Sequence, residues 1–442
     1  MKDSGIEWIG KIPADWNVTK IKYLFSSGKG LSITKADLED NGLPVISYGQ
    51  IHSKENTNTD IKDCLIRFVD NKYEVFKQCK VNQYDFVFAD TSEDYDGCGN
   101  CCYKRDNSTL YAGYHSIVLH SFKERDNRFL AYLFKTDSWR KQLRETASGV
   151  KVFSITQKKL INTAVILPPE NQRIIIANFL DHKCSEIDAL TADIQTQIET
   201  LEEYKKSVIT EAVTKGLDPN VEMQDSGVEW IGKIPADWNV TKIKYLFSSG
   251  KGLSITKADL EDNGLPVISY GQIHSKENTN TDIKDCLIRF VDNKYEVFKQ
   301  CKVNQYDFVF ADTSEDYDGC GNCCYKRDNS TLYAGYHSIV LHSFKERDNR
   351  FLAYLFKTDS WRKQLRETAS GVKVFSITQK KLINTAVILP PENQRIIIAN
   401  FLDQKCSEID QTISEKQQQI ETLAEYKKSL IYEYVTGKKE VA

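Results

Sequence analysis

Apolar residues follow two rhythms along this 442-residue chain, and the switch between them happens twice. From the N-terminus to residue 168, short β-rich runs at Val45–Tyr48, Phe86–Ala89, Ser116–Leu119 and Ala164–Leu167 are separated by Gly-, Asn- and Asp-containing turns, with one helix-like stretch, Asn127–Glu145. Such a texture predicts a compact α/β (α+β) domain. At Pro168-Pro169 it changes, and from Glu170 no Gly or Pro occurs until Gly216. Proline at a helix start followed by an acidic residue, and glycine past its end, are start and stop signals. The segment therefore predicts one helix of about 45 residues, roughly 65 Å long.

That length needs a partner surface, and the pattern supplies one. Ile187, Ile194, Leu201 and Val208 recur every seven residues, with Leu190, Ile198 and Tyr204 placed between them, which is a coiled-coil seam. A second such helix, from Pro391 to about Val435, keeps Ile409, Leu423 and Leu430, sets Lys416 where the first has Ile194, and offers Ile413 for that turn.

The two halves are one sequence used twice. Asp3–Asp188 returns as Asp225–Asp410 at an offset of 222, with only Ile6→Val228 and His182→Gln404 changed. Packing alone does not demand such identity, because cores accept many hydrophobic swaps. The helices diverge after Asp188 and Asp410, as partners with distinct seams would. The expected organisation is a globular domain at 1–168, a helical spacer at 169–215, a linker with the second domain at 216–390, and a second spacer at 391–442. The Gly- and Pro-punctuated link Lys215–Asp225 leads into the second domain. Antiparallel packing of the spacers as a coiled coil, with pseudo-two-fold symmetry, is the economical arrangement. Met1 and Met223 are the only methionines, a placement that suits a half-length ancestor pairing as a dimer.

Composition narrows the class. A hydrophobic share of 40% and a charged share of 27% fit a globular protein, with no apolar run near the roughly 20 residues a membrane span needs. The start MKDSGIEWIG lacks a signal-peptide core, so a cytoplasmic location is expected. A net charge of −3 argues against a free-standing nucleic-acid binder, whose usual footprint is basic, unless basic residues gather on one face. The 12 cysteines, Cys64, Cys79, Cys98, Cys101, Cys102, Cys184 and their repeats, read as reduced thiols or a metal site.

Catalytic motifs are incomplete. Gly5–Lys11 fits part of a phosphate-binding loop, but Ile12 stands where a hydroxyl must reach magnesium, so Trp8 and Trp16 read as packing anchors. Cys98, Cys101 and Cys102 begin a zinc pattern that lacks a second pair at the usual spacing; His115 and His120 are the conceivable completions. Asp90, Glu93, Asp94 and Asp96 form an acidic run without the Asp…Glu-x-Lys pattern of a nuclease, better suited to turn caps or to acceptors for cytosine N4. The Asn-Pro-Pro-aromatic motif of amino-methyltransferases is missing.

The segments SGIEWIGKIPADWNVTKIKYL, DFVFADTSED, LYAGYHSIVL and ILPPENQRIIIANFLD, each present twice, and EAVTKGLDPNVEM at the link, resemble the specificity subunits of type I restriction-modification systems. The resemblance covers essentially the whole chain. It implies two target-recognition domains that read double-stranded DNA in the major groove, helices that act as a ruler, and no catalysis by this chain. It also implies two docked methylation subunits, which bind S-adenosylmethionine, and restriction subunits. This sequence departs from the family in having two identical recognition domains, which predicts an inverted-repeat site rather than an asymmetric one.

Turns on a rigid scaffold are where contacts to DNA are expected. The favoured loops are Lys29–Lys35, Tyr48–Lys54, Ser92–Arg105 and Gly149–Lys158. In them Lys29, Lys35, Lys104, Arg105, Lys151 and Lys158 suit phosphates or guanine, Gln50 suits adenine, and Tyr48 and Tyr95 suit sugar or a thymine methyl, with Ser92 as a further polar candidate. The second copy repeats them as Lys251, Lys257, Tyr270, Gln272, Ser314, Tyr317, Lys326, Arg327, Lys373 and Lys380. Tyr111, Tyr114 and His115 run into an apolar strand and are expected in the core. The competing readings are a metal- or cysteine-dependent nuclease and a scaffold whose repeated domains bind protein rather than DNA.

Overall fold

The computed structural model describes all residues except 53–57, 150, 275–279, 372 and 442. Parts of the expected loops Tyr48–Lys54 and Gly149–Lys158, and of their repeats, lie outside the described residues. The chain divides into two compact units: Met1–Gln195 with Gln417–Ala442, and Thr196–Lys416.

In the first unit a four-stranded antiparallel sheet runs in the order Cys101–Tyr103, Phe86–Ala89, Ser116–Ser121, Phe25–Lys29. Its central strand explains why FVFA is apolar throughout rather than alternating. Phe86 and Phe88 face one core with Phe134 and Trp139 of the helices Arg128–Lys135 and Asp137–Arg144. Val87 and Ala89 face a second core with Ile46, Ile51 and Val118. A strand covered on both faces has no polar side to show. A second, mixed sheet orders Tyr111–Ala112, Leu43–Ile46, Arg67–Val69 and Leu38–Glu39. The second unit repeats both sheets at the offset of 222, its antiparallel sheet being built from Cys323–Tyr325, Phe308–Ala311, Ser338–Ser343 and Phe247–Lys251.

Two local expectations are corrected. The stretch Asn127–Glu145 is two helices, broken at Thr136, whose hydroxyl donates to the Leu133 carbonyl at 2.6 Å and accepts from the Trp139 N–H at 3.3 Å. A threonine that caps the next helix ends the one before it. The strand expected over Val45–Tyr48 runs Leu43–Ile46 instead, and Tyr48 opens a helical turn, Tyr48–Ile51. Gln50 Oε1 accepts from the Ser47 N–H at 3.0 Å, the carboxamide half of a capping box.

The long helices span Glu170–Lys215 and Glu392–Val435. The first ends at Gly216, which takes a φ of +80°, a conformation glycine adopts without strain. Within each unit the helix segments pair antiparallel. In the first, Phe179 meets Tyr434 and Asp188 meets Lys427; in the second, Gln197 meets Lys416 and Asp410 meets Lys205. Ile187, Ile194, Ile198, Ile409 and Leu430 are buried, and Leu201, Val208 and Leu423 half-buried. Leu190 and Tyr204 do not belong to the seam, each being 48% exposed. With Ile198 four residues after Ile194, the alternation must run 4-3-4-3, and that places Thr191 and Lys205 inward instead, one residue and ~100° from Leu190 and Tyr204.

Candidate DNA interface

The expected loops meet at one edge of each domain, and glycine makes the meeting possible. A Cβ on Gly113 would collide with the Ser47 hydroxyl, so only glycine lets the turn after strand Tyr111–Ala112 lie against the start of the Tyr48–Ile51 helix. The Gly113 N–H donates to the Ile46 carbonyl at 2.7 Å. Tyr48 then packs edge-on against Tyr114 (5.6 Å), His115 (5.4 Å) and His52 (6.4 Å).

His115 holds a φ of +52°, unusual for a side chain of its size, and is 57% exposed. The expectation that it enters the core is therefore corrected. Tyr111 is buried and Tyr114 half-buried, because a left-handed residue at the strand entrance turns the His115 ring outward. Its Nδ1 lies 3.3 Å from Asp90, the Asp90 N–H donates to the His115 carbonyl, and the Asp90 carbonyl accepts from Ile155. This carries the edge on to the ribbon of Thr91–Ser92 with Phe153–Ser154, where Tyr95 packs at 5.4 Å on Phe153.

His52 ties the two parts together. Its Nε2 contacts the Thr91 carbonyl at 2.6 Å and its Nδ1 the Asn100 amide at 3.1 Å. A carbonyl only accepts and an amide NH2 donates, so Nε2 carries the proton and the ring is neutral. Burial pushes the His52 imidazole below its ordinary value, in agreement. The second domain repeats the edge in Tyr270, His274, Asp312, Tyr317, Asn322, Tyr336, His337 and Phe375.

Of the candidates named from sequence, Tyr48 and Tyr95 lie in this edge. Lys29, exposed, ends the strand Phe25–Lys29 opposite Ile117, two residues from His115. Lys35, Lys151 and Lys158 are exposed, as are Lys251, Lys257, Lys373 and Lys380. Gln50 and Gln272 commit their side-chain oxygens to the cap of their own helical turn, so a two-bond contact to adenine requires breaking it.

Three pairs are corrected. Ser92 and Ser314 are buried, and Ser92 donates to the Asp94 carbonyl at 2.6 Å. Lys104 is 1% exposed and its ammonium is held by Asp106 and Ser108; Lys326 is the same in the second domain. Arg105 grips Asp181 of the first long helix with two nitrogens, at 2.7 and 3.0 Å, and Arg327 grips Asp403 likewise. Arg128 and Tyr132 also donate to Asp181, at 2.6 and 2.7 Å. Burial pushes the Asp181 carboxyl up, but these donors overcome it and hold it below its ordinary value. The basic pair Lys104-Arg105 thus serves the domain and its helix.

Among the described residues the alternative chemistries find no assembled site. Cys101 enters the core with Phe86 and Phe88, while the adjacent Cys102 enters the opposite core, 3.1 Å from Cys64. Neighbours on one strand point to opposite faces, so the three thiols do not converge. His120 is held by Asp85 at 2.7 Å. In the acidic run, Asp94 caps the Gly97 N–H and Asp96 pairs with Arg144. Among the described residues no group of three or more His, Cys, Asp or Glu could hold a metal ion. No helix among them is long and apolar enough to cross a membrane.

Each repeated α+β domain is thus packed on paired long helices and carries an exposed aromatic and imidazole edge. The chain belongs to the family of type I restriction modification DNA specificity domains, which matches residues 13–200 and 235–422; its function is that of the DNA specificity subunit of a type I restriction-modification system, itself non-catalytic. It is similar to the type I restriction enzyme MjaVIII specificity subunit of Methanocaldococcus jannaschii, 26% identical over 440 residues covering 97% of this chain and 94% of that one. Similarity to the EcoKI specificity subunit of Escherichia coli is 22% over 407 residues, 89% and 83% of the two chains. The fold is also that of a chain solved in work on complex assembly and conformational transition of the type I R-M system, with a TM-score of 0.71 at 16% identity over 97% of this chain and all of that one. The HsdS subunit from Thermoanaerobacter tengcongensis aligns with a TM-score of 0.51 at 15% identity, over 97% and 98% of the two chains.

Proposed function

We propose that this specificity subunit reads an inverted-repeat DNA site, one half-site per domain, separated by a spacer of fixed length. The observation that carries the reading is how each unit is completed. Each holds one copy of the same domain, the N-terminal half of the helix that follows it, and the C-terminal half of the other helix. Both are fastened alike: Lys427 donates to Asp188 and Asn58, and Lys205 donates to Asp410 and Asn280. Identical domains, each completed in the same way by an antiparallel helix segment, are what reading a sequence and its reverse complement requires. Half-sites one helical turn apart on one face of the duplex lie about 35 Å between centres.

Within each half-site, Tyr48, Tyr95 and His115 contact base edges and sugar, and Lys29, Lys35, Lys151 and Lys158 contact phosphate. Tyr270, Tyr317, His337, Lys251, Lys257, Lys373 and Lys380 do so in the second. The protein works in the cytoplasm, with two methylation subunits that carry S-adenosylmethionine and with restriction subunits. Selection of random duplexes by the chain assembled with its methylation subunits, followed by sequencing, tests this. The expected product is one half-site motif and its reverse complement at a single spacing; two unrelated half-sites, or a direct repeat, refute the proposal.

A further inference from the structure

The two long helices end differently, and in the second unit the difference borders an open cleft. Residues 200–214 read TLEEYKKSVITEAVT and residues 422–436 read TLAEYKKSLIYEYVT, so Val208 stands where the other helix has Leu430, and Ala212 where it has Tyr434. In the first unit Tyr434 is packed on the Phe179 ring, with 4.4 Å between centroids, and Leu430 is part of the same core. In the second unit Phe401, the counterpart of Phe179, is 39% exposed. It lines an open cleft of about 880 Å³ together with Val208 and Ala212, and Leu217, Val221, Met223 and Ile231 also line it. Thr210 also replaces a larger residue, Tyr432, but lies off the cleft, whereas the shorter Val208 and Ala212 both stand on its wall. Apolar walls without a partner forgo dispersion contacts, and apolar cavities take up aromatic molecules readily. The rim offers Glu211 and Asp218 against Lys215 and Lys233, a balanced set that favours a neutral occupant over a charged one.

We infer that this cleft receives one aromatic side chain, of the size and shape of the Tyr434 ring, from a methylation subunit. It does so once per chain, so that the two methylation subunits are held unequally. This rests on the proposed assembly with methylation subunits, but the site itself is testable without them. The full chain is titrated with p-cresol, the tyrosine side chain as a free molecule, by calorimetry. One saturable site is expected, lost in Ala212→Tyr and Ala212→Phe, while Tyr434→Ala opens a second. Because the added rings fill a void, both Ala212 variants are expected to melt no lower than the parent, which separates occupancy from misfolding. Mixed with methylation subunits, the same two variants are expected to assemble at least tenfold more weakly. Absence of saturable p-cresol binding, or binding unchanged in the Ala212 variants, overturns the site. Full-strength assembly of both variants overturns the docking. The DNA selection above reports on the inverted repeat independently of either result.

Discussion

Replacing Asp181 and Asp403 together by Asn tests whether these carboxylates fasten each domain to its helix. The Asp181 side chain is 22% exposed and accepts from two nitrogens of Arg105, one of Arg128 and the hydroxyl of Tyr132. Removing one partner of a buried pair costs about 3–5 kcal/mol, because the remaining charge is stranded. Partial exposure and the one oxygen that Asn retains reduce this to about 2–3 kcal/mol per unit. For units of this size the melting midpoint should fall by about 4–12 °C, read by calorimetry on the double variant near pH 7. The pH dependence has a defined sign. A carboxyl held below its ordinary value contributes stability that is present above that value, about 3.9, and is lost as pH falls through the lower folded one. The gap between parent and variant should hold from pH 7 to 5 and close below about pH 4. A midpoint within 1 °C of the parent, or a gap that widens on acidification, refutes the reasoning.

Further outcomes follow from the interface. Gly113→Ala with Gly335→Ala should abolish specific DNA binding and lower the melting midpoint while far-ultraviolet circular dichroism stays near the parent's, since the new methyl strikes the Ser47 hydroxyl and crowds the buried Val45, as its repeat does Ser269 and Val267. His115→Ala with His337→Ala should relax selectivity at one base pair of each half-site by about 1–3 kcal/mol, measured by competition among single-base variants of the selected site. Lys29→Ala with Lys251→Ala should lower affinity alike for all sequences and reduce the salt slope of binding by about two, one per lost phosphate contact. Lys104→Met with Lys326→Met should leave that slope unchanged and lower the melting midpoint instead, because these ammonium groups are buried against Asp106 and Asp328.

Much of the architecture was legible because it rests on periodicity and punctuation. Pro169 and Gly216 bracket a helix that spans Glu170–Lys215, and the FVFA run marked a strand with two covered faces. At Leu190 and Tyr204 the pattern misleads by one residue, because heptad spacing of the Ile187 series leaves the intervening position at three or four residues, and only Ile198 indicates which. The site was less legible. Lysine in a loop looks the same whether it faces solvent, as Lys29 does, or turns inward, as Lys104 does; the acceptors Asp106 and Ser108 were adjacent in sequence, but their convergence needs the fold. The apolar strand that follows His115 argues for a place in the core. Its left-handed backbone is invisible to composition, and the one available signal was Gly113 between two short strands.

The exchange of helix halves also sets an order of folding. The unit of Thr196–Lys416 is continuous in sequence, whereas the unit begun at Met1 needs Gln417–Ala442 to complete it. At about 5–20 residues per second of synthesis, the first domain waits on the order of ten to forty seconds for the segment that brings Lys427 to Asp188 and Tyr434 to Phe179. The first half made is thus the last half finished, and until then the helix face that Lys427 and Tyr434 will cover stays without its partner.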